Sequence, residues 1–184
     1  MTPHKIWVYL ARADSPQKKS HALLEKALRV WAEETGQADA DLTVVRPKYE
    51  KPYLKELPHI GFSVSRSGEY WACVISGQQV GVDLQEEVFS GTERITRRFF
   101  HPLEQAWLKE RPEAFFRVWT AKESYVKFTG EGVTDAFGAF SVADSDGLRD
   151  SLGMGKFCFL DAPEGYVLCL CAREIETVSL TIMQ

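Results

Sequence analysis

An α+β fold is predicted from three observations, the last of which leaves open a build from two similar halves. The chain opens on a strand-like segment followed by a helix-like one, and then shows a run of short alternating segments. A second helical stretch follows, and alternation returns to the end, so strands and helices are grouped rather than regularly interleaved. Gly61-Phe62-Ser63-Val64-Ser65-Arg66-Ser67-Gly68 is echoed by Ala139-Phe140-Ser141-Val142-Ala143-Asp144-Ser145-Asp146-Gly147, each after a helix and a loop and each leading into further strands. Duplication of one unit and chance both account for that echo.

The elements follow in order. Lys5 to Ala11 reads as a strand with Ile6, Val8 and Leu10 on one face. Ser15 and Pro16 open a helix to about Thr35, ended near Gly36, with Leu24, Leu28 and Trp31 at helical spacing on its inward face. Residues 36–60 are polar, charged and proline-containing, and read as loop. Gly61–Ser65, Tyr70–Ser76 and Val80–Leu84 read as strands joined by tight connections. Glu93–Phe100 and Leu103–Lys109 look helical, split by Pro102. Pro112 fits the first turn of a long helix to about Thr129, stopped by Gly130. Ala139–Ala143, Lys156–Leu160, Tyr166–Ala172 and Thr177–Ile182 complete the strands.

At 184 residues the chain can bury a core without disulfides or structural metal. A formal net charge of −4 disfavours nucleic acid as a partner, so any phosphate site must come from local basic residues. No apolar run reaches membrane-spanning length, and the first ten residues are too short for a signal-peptide core; a cytoplasmic location is the expectation. Cys73, Cys158, Cys169 and Cys171 contain no CxxC pair and read as free thiols. The four histidines show no mutual ligand spacing, and no nucleophile elbow is present.

Three constellations could carry chemistry. In Val80-Gly81-Val82-Asp83-Leu84-Gln85, strand alternation puts Asp83 and Gln85 on one face. Asp83 reads either as a cap of the following turn or as an oxygen ligand for a hard cation such as magnesium. In the helix, Trp119, Glu123 and Lys127 are spaced by four, so they share a face. Glu123 and Lys127 are then either a surface pair worth a few tenths of a kcal/mol or, beside Trp119, part of a cleft. Arg46-Pro47-Lys48-Tyr49-Glu50-Lys51-Pro52-Tyr53, together with Ser65 and Arg66, reads either as solvated charge or as a phosphate-binding set. Gly130-Glu131-Gly132 follows a helix and so reads as a C-cap and turn, not a phosphate loop.

Taken in order, these segments resemble the Sfp-type 4′-phosphopantetheinyl transferases. That family shows Lys-Pro-Tyr, Phe-x-x-Ser-His-Ser-Gly, Gly-(Ile/Val)-Asp-(Ile/Val)-Glu, Arg-Phe-Phe and Trp-(Thr/Ser)-x-Lys-Glu-(Ala/Ser)-x-x-Lys-x-x-Gly-x-Gly. Here they stand as Lys51-Pro52-Tyr53, Phe62 to Gly68, Gly81-Val82-Asp83-Leu84-Gln85, Arg98-Phe99-Phe100, and Trp119 through Lys122, Glu123, Lys127, Gly130 and Gly132. The likeness covers roughly residues 46 to 145, and its Trp-to-Gly segment is the most specific part. Arg66 replaces the family's usual His and Gln85 its usual second acid.

The resemblance implies two pseudo-symmetric halves, divided as residues 1–79 and 80–184, with the site between them. It implies transfer of the 4′-phosphopantetheine arm of coenzyme A to a serine of an apo acyl or peptidyl carrier protein, with release of adenosine 3′,5′-bisphosphate. Asp83, Glu123 and Gln85 would hold Mg2+; Glu123 would take the serine's proton; Lys127 would serve the leaving phosphate. Lys51, Ser65, Arg66, Lys48 and, at the start of the first helix, Lys19 would bind the coenzyme. The segment Arg94–Phe100 could face an acidic carrier through its arginines, with its aromatics in the core. A monomer is expected, without nucleic acid or membrane partners. Two rivals stay open: a family member that binds coenzyme A or a carrier without transfer, and an unrelated magnesium-dependent phosphohydrolase.

Overall fold

The computed structural model describes residues 5–48, 50–130 and 135–184. Met1–His4, Tyr49 and Glu131–Thr134 lie outside the described residues, and with them most of the turn expected at Gly130-Glu131-Gly132. Among the described residues, no helix is long and apolar enough to cross a membrane.

The first half opens with strand β1 (Lys5–Arg12) and helix α1 (Pro16–Glu34). Two short strands, β2 (Val44–Val45) and β3 (Tyr53–Leu54), pair inside the stretch expected to be all loop. β4 (Gly61–Ser67), β5 (Tyr70–Ser76) and β6 (Val80–Glu86) follow. Next come α2 (Thr92–Phe99), α3 (Pro102–Glu110), a short 3-10 turn at Pro112–Ala114, and α4 (Phe115–Thr129). Pro102 opens α3 rather than merely interrupting a helix, and His101 caps it through a capping box with Glu104. Gly130, at φ 80°, ends α4 in the left-handed conformation that glycine adopts without a Cβ penalty.

After α4 the strand expected at Ala139–Ala143 is absent. A 3-10 turn occupies Asp135–Ala139, and only the small hairpin of β7 (Ala143–Asp144) and β8 (Gly147–Leu148) forms. The chain finishes with β9 (Ser151–Leu152), β10 (Gly155–Leu160), β11 (Tyr166–Ala172) and β12 (Thr177–Met183).

Two four-stranded sheets result, ordered β12-β1-β5-β4 and β6-β11-β10-β9. Each contains the same unit: a strand, a helix, then an antiparallel pair whose second strand lies beside the first, giving β1-β5-β4 and β6-β11-β10. The counterpart of β4 is therefore β10, not the Ala139–Gly147 segment suggested by the sequence echo. β12 returns from the end of the chain to pair in parallel with β1.

Alternation along the strands builds the layers. Ile6, Val8 and Leu10 meet Val80, Val82, Leu84, Leu168 and Leu170 in one apolar layer between the sheets. Trp7, Tyr9 and Ala11, on the opposite face of β1, pack with Leu28 and Trp31 of α1. On the far side of the second sheet, α4 packs through Val118, Ala121 and Val126 with Cys169 of β11. The order is thus α1, sheet, sheet, α4. Cys73, Cys169 and Cys171 are buried free thiols within it, and Cys158 is half-buried.

Candidate functional site

Gly81, Asp83 and Gln85 occupy the β6 face that α4 crosses. A Cβ on Gly81 would stand 2.0 Å from the Ser124 carbonyl oxygen and 2.5 Å from the Phe128 nitrogen, both backbone atoms of α4. Glycine therefore sets how closely helix and strand approach, and that approach brings Asp83 up against the Glu123–Lys127 face.

The edges of the two sheets meet at β4 and β6, stitched by side chains. Ser63 Oγ accepts from the Val82 N–H (3.2 Å) and Ser67 Oγ from the Glu86 N–H (3.0 Å). Between them Ser65 Oγ donates to Asp83 Oδ1 at 2.7 Å. Lys127 Nζ reaches the same Oδ1 at 2.7 Å and Ser65 Oγ at 3.1 Å. Lys127 thus pairs across to Asp83 instead of forming the simple surface pair with Glu123 that its spacing allowed.

Electrostatics mark this cluster. Burial raises the Asp83 pKa, opposed by Lys127 and Ser65. Its second oxygen, Oδ2, is buried with no hydrogen-bond partner. Glu123 is 8 % exposed; burial, and then the nearby Asp83 charge, pushes its pKa up to about 7. Gln85 is half-buried and donates to the Glu86 carbonyl at 3.3 Å, so its amide oxygen is not consumed by that bond.

A cavity of about 720 Å³ opens beside Lys127, between α1, the residues Arg46, Lys48 and Glu50–Pro52, β4 and the end of α4. Lys48, Lys51, Arg66 and Lys127 line it, joined by Arg46 and His21, against one carboxylate, Glu50. Lys51 donates to the Val80 carbonyl, and burial, with Lys127 nearby, lowers its pKa to about 8. Ser65 lies beneath, buried, its hydroxyl committed to Asp83 and Lys127.

Lys19 does not line this cavity. It is exposed and pairs with Asp14 at 3.7 Å. The residues that α1 supplies to the cavity are Gln17, Ser20, His21 and Leu24, spaced at helical intervals. That spacing was present in the sequence: Leu24 and Leu28 mark the inward face, and Gln17, Ser20 and His21 fall beside it.

Trp119, one turn before Glu123, stacks on Phe100 and Phe115 at 6.2 and 6.1 Å between centroids. With Gln85 it borders a smaller cavity of about 150 Å³ at the other end of the acidic cluster. Of the neighbouring aromatics Phe100 is buried, as expected, but Phe99 is exposed under Arg98, 5.0 Å from its ring centroid. Among the described residues no three His, Cys, Asp or Glu side chains converge as a metal cluster.

Residues 79–171 match the model of the 4′-phosphopantetheinyl transferase superfamily. The chain is 33% identical over 136 residues to a 4′-phosphopantetheinyl transferase of Bacillus subtilis, covering 68% of this chain and 60% of that protein. It is 29% identical over 144 residues to the 4′-phosphopantetheinyl transferase Sfp of Bacillus subtilis strain 168, covering 72% and 64%. A mouse L-aminoadipate-semialdehyde dehydrogenase-phosphopantetheinyl transferase is 28% identical over 102 residues, 48% of this chain and 33% of its own length. The likeness thus spans less than two thirds of these relatives. With half of its length inside the family model, and the motif residues assembled in one cluster, the chain belongs to the 4′-phosphopantetheinyl transferase superfamily.

Proposed function

We propose that the chain transfers the 4′-phosphopantetheine arm of coenzyme A to a serine of an acyl or peptidyl carrier protein in a magnesium-dependent reaction. The observation that carries this reading is the juxtaposition of the Asp83–Glu123–Lys127 cluster with a basic cavity of about 720 Å³. A cavity of that size suits a nucleotide-sized ligand, and its cations suit the ligand's phosphates.

The residues fit a hard cation. Asp83 Oδ2 is buried and unpartnered, Glu123 feels the Asp83 charge, and Gln85 lies on the same strand face. Asp83, Glu123 and Gln85 would hold magnesium, completed by phosphate oxygens of the coenzyme, an arrangement this ion favours. When bound, magnesium supplies neutralisation of the diphosphate's negative charge.

The chain's own groups account for the rest. Lys51, Arg66 and Lys48 bind phosphate in the cavity. Glu123, directly or through a water, accepts the proton of the carrier's serine as its oxygen bonds to the β-phosphorus. The bond from that phosphorus to the bridging oxygen breaks, and adenosine 3′,5′-bisphosphate leaves with the electron pair. Lys127, already within hydrogen-bond reach of the cluster, steadies the departing phosphate. The nucleophile belongs to the partner, so no activated serine or cysteine is required here. Arg94, Arg97 and Arg98 are exposed on α2, with Phe89 and Phe99 exposed close by in sequence; this face suits an acidic carrier. We take the working unit as a monomer in the cytoplasm.

The test is a mixture of the chain, magnesium, coenzyme A and a purified apo carrier, read by intact-protein mass spectrometry. The carrier should gain one phosphopantetheine arm, and Asp83→Ala should abolish the gain. A stable complex without mass gain would replace this reading with a binding module. Coenzyme cleavage without a carrier would replace it with a phosphohydrolase.

A further inference from the structure

Glu104 of α3 and Lys122 of α4 are wholly buried, both at 0 % side-chain exposure, and pair at 2.9 Å. Neither belongs to the Asp83 cluster. Lys122 Nζ also donates to the Phe140 carbonyl at 2.7 Å and sits 4.1 Å from the centroid of the Phe140 ring. Glu104 Oε1 accepts from the Val142 N–H at 2.8 Å, and Oε2 from the His101 N–H at 3.0 Å. One carboxylate thus closes the start of α3, while one ammonium ties α4 to α3 and to Phe140–Val142.

A buried ion pair is a poor way to gain stability, because both charges lose their water; apolar replacements are often no worse. It does supply direction. The aromatic and aliphatic contacts of α4 are non-directional, whereas this ammonium has two oxygens and a ring face in fixed places. Lys122 immediately precedes Glu123, and successive helix residues point about 100° apart. Fixing Lys122 toward α3 therefore fixes Glu123, and Lys127 one turn on, toward β6.

We propose that Glu104 and Lys122 are positioning residues that set the register of α4, so that Glu123 and Lys127 meet Asp83. The inference rests on the reading of Glu123 and Lys127 as transfer residues. The test uses two variants of the full chain: the paired Glu104→Gln/Lys122→Met, which removes both charges together, and Glu104→Asp, which keeps the charge but shortens the reach by one methylene.

Both should unfold cooperatively and bind coenzyme A within about threefold of the parent, while kcat falls on the order of ten- to hundredfold with KM for coenzyme A little changed. A crystal structure of the paired variant should show Lys127 Nζ moved out of hydrogen-bond range of Asp83. Parental kcat in either folded variant would overturn the proposal. So would a loss of kcat that only tracks a lost folded fraction, or a variant crystal structure with Lys127 and Asp83 placed as in the parent. The crystal structure decides the matter whether or not the parent transfers, so failure of the proposed function stays separate from failure of this inference.

Discussion

Glu123 is held where its ionised form is disfavoured, and that has a consequence for stability. Its carboxyl rises from 4.5 to about 7 on folding, chiefly by burial and then by the Asp83 charge. Below pH 4.5 both folded and unfolded chains carry the proton, and nothing is lost. Between 4.5 and about 7 the unfolded chain releases it first, so this group lowers stability as pH rises, fully so above about 7. Glu123→Gln removes the effect. In metal-free solution at pH 8 it should stabilise the fold by up to about 3 kcal/mol, the equivalent of the shift, and by little at pH 4.5. Chemical denaturation at the two pH values measures this, and equal effects at both would contradict the burial of an acid that must ionise. The same substitution should abolish transfer, a stability–activity conflict common at functional sites. At this scale the shared faces of Asp83 with Gln85 and of Glu123 with Lys127 were legible in the sequence, because one strand and one helix dictate those spacings. The partner of Lys127 was not, because Asp83 is 44 positions away and nothing local points to it.

The elements that build the site depend on close packing of α4 on β6. The backbone oxygen and nitrogen that would meet a Cβ on Gly81 cannot swing aside like a flexible side chain. Gly81→Ala should therefore lift α4, costing about 1–3 kcal/mol in denaturant unfolding, the usual range for overpacking, and lowering kcat along with it. An alanine variant with parental stability and turnover would show that the helix has slack. Most elements were readable from periodicity and end signals, and the failure at Ala139–Ala143 is instructive. That segment has the alternation of a strand, but its backbone groups are already spoken for. The Phe140 carbonyl accepts from Lys122, the Val142 N–H donates to Glu104, and the Val142 carbonyl accepts from the Arg149 N–H. Buried side chains from two distant helices replaced the ladder, and no local pattern announces that.

At the scale of the whole molecule, the two halves are interleaved rather than merely adjacent. β12 pairs with β1 across the full length of the chain, Lys5 facing Thr177, a parallel pairing that no short-range signal encodes. The β4 serines hold the edge of one sheet to the other, and the large apolar layer belongs to both sheets. The basic cavity takes residues from α1 and β4 on one side and from α4 on the other. Unfolding either half would expose the shared layer and strip β1 of its partner, so thermal unfolding should be one cooperative transition. A ligand in the cavity then stabilises the whole chain, not one half. Coenzyme A with magnesium at about 100 times its Kd should add about 2.7 kcal/mol. For a chain of this size that corresponds to a rise in Tm of roughly 5–10 °C. Differential scanning calorimetry with and without ligand is the measurement. Two transitions, with only one moving on addition of coenzyme, would mean that the halves fold separately and that the cavity belongs to one of them.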